Sequence, residues 1–309
     1  MPGSDEVLEE MQRAAGLLAS TVGEELPTVS VTSADPEEAI FLGQNISKLS
    51  PIMGNLIERR IPLLLENVET EHGMTWRRQD PDFPDAALFD RDGKPVGPGF
   101  EVKAWYPLAT EITGRFRESQ NLLNGKDIRL VVVAWMMSHI VYGTPEIVGV
   151  LITDALSVAK ARDSHYHDPP GYLCEEPQDT TARTRNLQQT NVLGYKLQEL
   201  NPGRLKAAKD LYGTHTHRGA DPHSPEGQEL VSQLRAAATY RLDSNFAKID
   251  RIDHKEIEAF KAKVLGTEFR GRTIKSWAGL LKMLNTDAKP AQQKLAAETI
   301  ATLYAKDVI

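Results

Sequence analysis

The sequence predicts an α/β fold: a mixed central sheet flanked by helices in the order helix, three strands, helix, strand (αβββαβ), with a mainly helical C-terminal region. Three observations predict it. Apolar residues recur at helical spacing before residue 62 and again from residue 224 onward. Residues 75–105 alternate short apolar runs with Gly, Pro and Asp punctuation, as hairpins do. Residues 130–136 and 147–152 are continuous apolar runs rich in Val and Ile, the pattern of strands covered on both faces.

Residues 1–25 read as an acidic helix. Ser50-Pro51 reads as a helix start, with Ser50 as the cap and Pro51 in the first turn. Ile52, Leu56, Ile57 and Ile61 then repeat at helical spacing. Thr75–Arg77 is a short strand. Ala86–Phe89 and Phe100–Trp105 are the arms of a hairpin. Asp90–Gly93 supplies turn chemistry between them, and Gly97–Gly99 breaks the chain again. Glu111–Leu123 is helix-like, with Ile112, Phe116, Ser119 and Leu123 roughly on one side. Leu130–Met136 and Ile147–Ile152 are buried strands. From Ser224-Pro225 onward, three or four helices are expected, the last running from Thr286 to Lys306 through Pro290. The expected divisions are an acidic N-terminal segment (1–40), a core (41–223) with an insertion near 160–219, and a helical region (224–309).

The chemistry is concentrated in Phe100-Glu101-Val102-Lys103-Ala104-Trp105. On a strand, residues two apart share a face, so Glu101 and Lys103 project together while Val102 turns into the core. Asp85, in Pro84-Asp85, opens the first arm of the hairpin, and antiparallel pairing can bring its carboxylate near that of Glu101. Two such carboxylates suit a divalent cation, and the lysine suits a developing phosphorane charge or the orientation of an attacking water. That is the equipment of metal-assisted phosphodiester hydrolysis. Asp82 also follows a proline. Asp85 is preferred because it directly abuts the apolar strand.

Pro84-Asp85 and Glu101-Val102-Lys103, on the second and third strands of this element order, resemble the core of the PD-(D/E)xK nuclease superfamily, and within it a type II restriction endonuclease. The resemblance covers roughly residues 50 to 153. It implies a restriction-endonuclease-like core and Mg²⁺-dependent, sequence-specific cleavage of double-stranded DNA, with Mn²⁺ able to substitute. It also implies a homodimer and a cognate DNA methyltransferase in the same system. Asp85 and Glu101 would bind the metal, Lys103 would assist the nucleophile and the transition state, and Glu58, which falls where the family often adds a glutamate from the first core helix, would support a metal or water as a further metal-binding and catalytic residue.

A net charge of −7 looks unfavourable for DNA, yet its distribution matters more than its sign. Residues 1–40 carry nine acids and one base, which leaves residues 41–309 at a net +1. Residues 181–219 hold seven bases against two acids. Within them Arg183, Arg185, Asn186, Gln188 and Gln189 form an arginine- and amide-rich stretch. Arginine pairs with guanine and amides pair with adenine in the major groove, so these residues are candidate DNA contacts. Arg115 and Arg117 are further candidates if their helix packs behind the sheet; Glu111–Arg115 reads equally well as a surface ion pair. The C-terminal helices complete the fold or build a dimer interface, with a DNA-contacting module as the sharper alternative.

Hydrophobic residues are 40% and charged residues 26% of the chain, as in an ordinary soluble globular protein. No run is long enough to span a membrane, the start is acidic, and Cys174 stands alone, so a reducing cytoplasm is expected. Residues 90–101 approach a calcium-loop template but carry Pro95 where it needs Gly. His165/His167 and His215/His217/His223 have weak metal spacing. Two other functions stay open at this stage: a structure-specific repair or recombination nuclease, and a non-cleaving DNA-binding protein on a nuclease-like fold.

Overall fold

A computed structural model describes residues 2–27, 29–79, 82–109, 112, 120–167, 172–174, 196–198, 202–218, 220, 224–237, 254–284 and 288–307. In chain order the elements are α1 (Ser4–Ser20), α2 (Pro36–Glu66), β1 (Thr75–Arg78), β2 (Ala86–Phe89), β3 (Pro95–Trp105), α3 (Gln120–Leu123), β4 (Ile128–Met137), β5 (Pro145–Asp154) and α4 (Ala155–His167). They continue with β6 (Tyr172–Cys174), β7 (Lys196–Gln198), α5 (Pro202–Thr214), α6 (Pro225–Ala237), α7 (Lys255–Gly266), β8 (Glu268–Phe269), β9 (Arg272–Thr273), α8 (Ile274–Lys282) and α9 (Pro290–Asp307). The protein is therefore mixed α/β. No helix among the described residues is long and apolar enough to cross a membrane.

The chain divides into two compact units, and not at residues 40 and 223 as expected. One comprises Met1–Ile112, Lys126–Ala155 and Lys255–Ile309; the other comprises Thr113–Gly125 and Leu156–His254. The acidic N-terminal segment and the last three helices thus belong with the sheet. The physical reason is backbone pairing and burial. Amides of Gly23, Leu26 and Val31 donate to the carbonyls of Ile147, Pro145 and Gly143, along β5 and the turn before it. Ile257, Phe260 and Val264 of α7 and Trp277, Leu280 and Leu281 of α8 are buried.

The first unit is built on a five-stranded sheet in the order β1-β2-β3-β4-β5. β3 and β4 are parallel, with Glu101 opposite Leu130 and Lys103 opposite Val132, and the other pairs are antiparallel. A parallel pair needs a crossover, which the chain makes between Trp105 and Ile128. β4 is buried almost end to end, which explains its unbroken apolar sequence. Both faces are covered. Ala104 faces Gly54 of α2, while its neighbour Trp105 turns the other way to meet Phe260 of α7, ring centroids 6.0 Å apart.

The expected helix start at Ser50 is corrected. α2 begins well before it, where Asp35 caps the helix by accepting from the Glu38 amide at 2.8 Å and Pro36 occupies the first turn. Pro51 and Pro62 lie inside this helix, where neither can supply an i→i−4 bond. Burial of Ile46, Met53, Ile57, Ile61 and Leu65 on one stripe outweighs that loss. The C-terminal region is mainly helical, as expected, with one small exception. β8 and β9 form a two-residue ribbon, turned by Arg270 (φ 49°) and Gly271 (φ 78°), the two positive angles that a tight hairpin turn needs.

In the second unit β6 and β7 pair antiparallel, and α5 buries Ala208 and Tyr212. Arg204, Lys206 and Arg218 are exposed there; Lys206 pairs with Asp210 at 2.7 Å and Arg218 lies over the Tyr212 ring.

Candidate active site

β3 outruns its partner. β2 pairs with it only as far as Phe100, so from Glu101 onward, among the described residues, β3 is bordered by β4 on one side alone. Its alternate amides on the other side need acceptors. Two carboxylates supply them. The Val102 amide donates to Asp85 Oδ2 at 2.7 Å, and the Ala104 amide donates to Glu58 Oε1 at 3.0 Å. Asp85 arrives from the residue before β2, and Glu58 from α2. Both acids are thereby pinned to the strand that carries Glu101 and Lys103.

A glycine makes the Asp85 approach possible. A Cβ at Gly99 would fall on Pro84 Cγ and lie 2.9 Å from the Ala86 carbonyl oxygen. Only glycine lets the Pro84-Asp85 corner close onto β3. The turn between the arms is held separately: Asp90 Oδ1 accepts from the amides of Asp92 and Lys94 at 3.0 and 2.8 Å.

Glu101 and Lys103 project together, as alternation requires. Lys103 Nζ donates to Glu101 Oε1 at 2.7 Å and to the Val102 carbonyl at 2.8 Å. Both side chains are largely buried, Glu101 8% and Lys103 14% exposed. Burial first, with the charges of Asp85 and Glu58 adding to it and Lys103 opposing, holds the Glu101 carboxyl up at about 7. Burial works against the Lys103 ammonium, but Glu101, Glu58 and Asp85 together outweigh it and hold its pKa above the ordinary value. Lys103 is therefore a cation at neutral pH, suited to donate to a phosphoryl oxygen and unsuited to act as a base.

Three acids and one lysine leave this cluster two negative charges in excess before any protonation. That unbalanced charge adds to burial in raising Glu101. No group of three or more His, Cys, Asp or Glu side chains converges as a ready-made metal cage among the described residues. A cation here would be held by Asp85 and Glu101 and complete its shell with water. That is the ordinary habit of Mg²⁺, which takes one or two carboxylates and keeps several waters. The paired carboxylates of Asp85 and Glu101, both close to β3, fit such an ion.

A cavity of about 250 Å³ opens beside the cluster, lined by Asn55, Glu58, Arg59, Pro62, Arg78 and Asp85. Two of the acids thus share a cleft with two guanidiniums and an amide. Sequence reading missed Asn55, Arg59 and Arg78. The signal for Arg59 was its place beside Glu58, and Asn55 lies one helical turn before it. Arg78 carries no local signal, because only the sheet brings β1 to this cleft. Asp82 is exposed, with its amide donating to the Gln79 carbonyl at 2.7 Å, whereas Asp85 reaches β3.

The candidate DNA contacts Arg115, Arg117, Arg183, Arg185, Asn186, Gln188 and Gln189 lie outside the described residues. His165 and His167 fall on α4, and His217 Nε2 lies 3.4 Å from Glu229. The chain matches no protein-family model, no curated protein and no solved structure.

Proposed function

We propose that the protein is a Mg²⁺-dependent endonuclease that cuts double-stranded DNA at a specific sequence, in the manner of a type II restriction endonuclease. The observation that carries this reading is the gathering of Asp85, Glu101, Lys103 and Glu58 where β3 outruns β2. The β1-β2-β3-β4 order with β3 and β4 parallel supports a restriction-endonuclease-like core around that cluster.

Mg²⁺ bound by Asp85 and Glu101 would supply Lewis-acid polarisation of the scissile phosphoryl group. The chain's own residues do the rest. Asp85 and Glu58 are fixed by backbone amides, so their carboxylates need little reorganisation. The Lys103 ammonium stabilises charge developing on the phosphoryl oxygens as water adds and the ester bond breaks. Arg59 and Arg78 line the cleft where non-bridging oxygens would sit, and their planar forks match such oxygens. The same reading carries the expectations of Mn²⁺ as a substitute ion, a homodimer, and a companion methyltransferase that protects the same sequence.

The test is digestion of plasmid or phage DNA by the purified protein with Mg²⁺. The expected outcome is a discrete set of fragments, abolished by Lys103→Ala and by Asp85→Asn. Cutting that survives Lys103→Ala would remove the assigned site. Cleavage confined to junctions or flaps would select a repair or recombination nuclease. Tight duplex binding with no cutting under any divalent ion would select a non-cleaving DNA-binding protein.

A further inference from the structure

A second hollow lies beyond the C-terminal end of β3. It holds about 570 Å³ and is bordered by Gly43, Gln44, Ile46 and Ser47 of α2, by residues 105 and 107–109, and by α7 and α8. Among the described residues that line it, three are lysines, Lys261, Lys275 and Lys282, and none is an acid.

The distribution of those cations is regular. Lys275 and Lys282 are seven residues apart on α8, two turns along one face, or about 10 Å at 1.5 Å per residue. Ala278 and Gly279 lie between them and leave the hollow open. Ile274, Trp277 and Leu280, on the far side of α8, are buried, and Leu281 is buried where it borders the hollow. Lys275 and Lys282 are exposed, and neither has a carboxylate partner among the described residues. Lys261 faces them from α7 and pairs with Glu258 at 3.1 Å. A chain of net charge −7 has nevertheless placed three cations around one opening.

Two elements join this hollow to the cluster described above. Trp105 is two residues beyond Lys103 on the same face of β3. α2 carries Ser47 at the hollow and Glu58 at the cluster, 11 residues or about 16 Å along the helix axis. At about 3.4 Å of duplex axis per nucleotide, that separation is roughly five steps of one strand.

We propose that this hollow is a binding track for the phosphodiester backbone of duplex DNA, with Lys261, Lys275 and Lys282 neutralising phosphates several nucleotides from the cut. The choice of occupant rests on the nuclease reading. The charge complementarity does not depend on it. Phosphate contacts of this kind position a duplex and carry no sequence information, so the track sets register while bases are read elsewhere.

The experiment measures binding of the full chain to a mixed-sequence duplex by fluorescence anisotropy, without divalent metal, over a series of KCl concentrations. Lys275→Gln/Lys282→Gln removes two phosphate contacts. The slope of log affinity against log salt should become shallower by about 1.8, and affinity should fall tens-fold near about 0.1 M salt. Gly279→Leu is the second variant. A Cβ at Gly279 meets nothing within 4 Å, so the backbone there has room for a side chain, which would extend into the hollow that Gly279 lines. Its thermal melt should be unchanged or higher, because leucine favours a helix over glycine, and its duplex binding weaker. Wild-type affinity and slope in both variants would overturn the track. A lysine-dependent slope in a protein that never cuts DNA would uphold the track and remove the nuclease reading. Site-specific cutting with a slope indifferent to the lysines would do the reverse.

Discussion

Glu101 carries an unusual burden for a strand residue. It is buried, it shares Lys103 with two other acids, and its carboxyl is pushed up to about 7 from an ordinary 4.5. A folded-state pKa above the unfolded one stabilises the fold most below about 4.5. That contribution is lost as the pH rises towards 7. The metal-free protein should therefore lose stability between pH 5 and pH 8, on the order of 3 kcal/mol at about 1.4 kcal/mol per pKa unit. Denaturant melts of wild type and Glu101→Gln at the two pH values check this. Glu101→Gln should show a flatter dependence, and an equally steep one would mean that another group carries the loss. Lys103 does not share this window, because its pKa moves upward and it stays charged throughout. At this scale the Glu101–Lys103 pairing was legible in the sequence, because strand alternation is a local rule. The three-way competition for Lys103 was not, since Glu58 comes from a helix 46 residues away along the chain from its Ala104 contact.

Among the elements, the β2–β3 hairpin decides whether the site exists. Its register shifts between Ala87 and Phe89, and it ends at Phe100, which frees the amides that Asp85 and Glu58 take. Gly99 is the point of closest approach. Gly99→Ala should open the Pro84-Asp85 corner and cost on the order of 1–3 kcal/mol, as overpacking does. Thermal unfolding would show the loss, and the DNA cleavage proposed above should fall with it even at temperatures where the variant stays folded. Wild-type stability and activity in Gly99→Ala would mean that the corner closes by another route. The hairpin itself was readable from Asp90–Gly93 and the apolar runs beside it. The start of α2 was not. Ser50-Pro51 looks like a cap, but Asp35-Pro36 with Glu38 is an equally good local signal, and the core stripe runs from Ile46 through Pro51 to Leu65. Packing on the sheet overrode a proline that would have ended an isolated helix.

Across the whole molecule, the acidic N-terminus is tied to the sheet-bearing unit by charge as well as by burial. Glu10 is fully buried on α1 and accepts from the Glu71 amide at 2.8 Å, while Arg13 reaches Glu71 at 2.6 Å. His72 hydrogen-bonds Glu9 at 2.9 Å and faces Glu6, and the bond to Glu9 leads the influences that hold its pKa above the usual histidine value. Since its folded pKa is raised, the attachment is complete below about 6.5 and weakens as the pH rises past the folded value. Amide exchange of α1 should accordingly be more protected at pH 6 than at pH 8.5, after correction for intrinsic rates. His72→Gln should abolish the difference; a difference that persists in it would place the pH dependence elsewhere.

The sequence by itself determined the mixed α/β class, the existence and order of the five strands of the main sheet, and the paired projection of Glu101 and Lys103; it did not give the first half of β3, which runs from Pro95 through Gly97–Gly99 where the sequence reads as a break. These follow from periods of two and of 3.6 residues, which are properties of neighbouring positions. Only the tertiary structure decided where β3 loses its partner, which acids take its amides, that Arg59 and Arg78 join the cleft, and that the terminal helices share a unit with the sheet. Those facts depend on contacts between residues far apart in the chain, set by which apolar faces bury one another, and no local period encodes them.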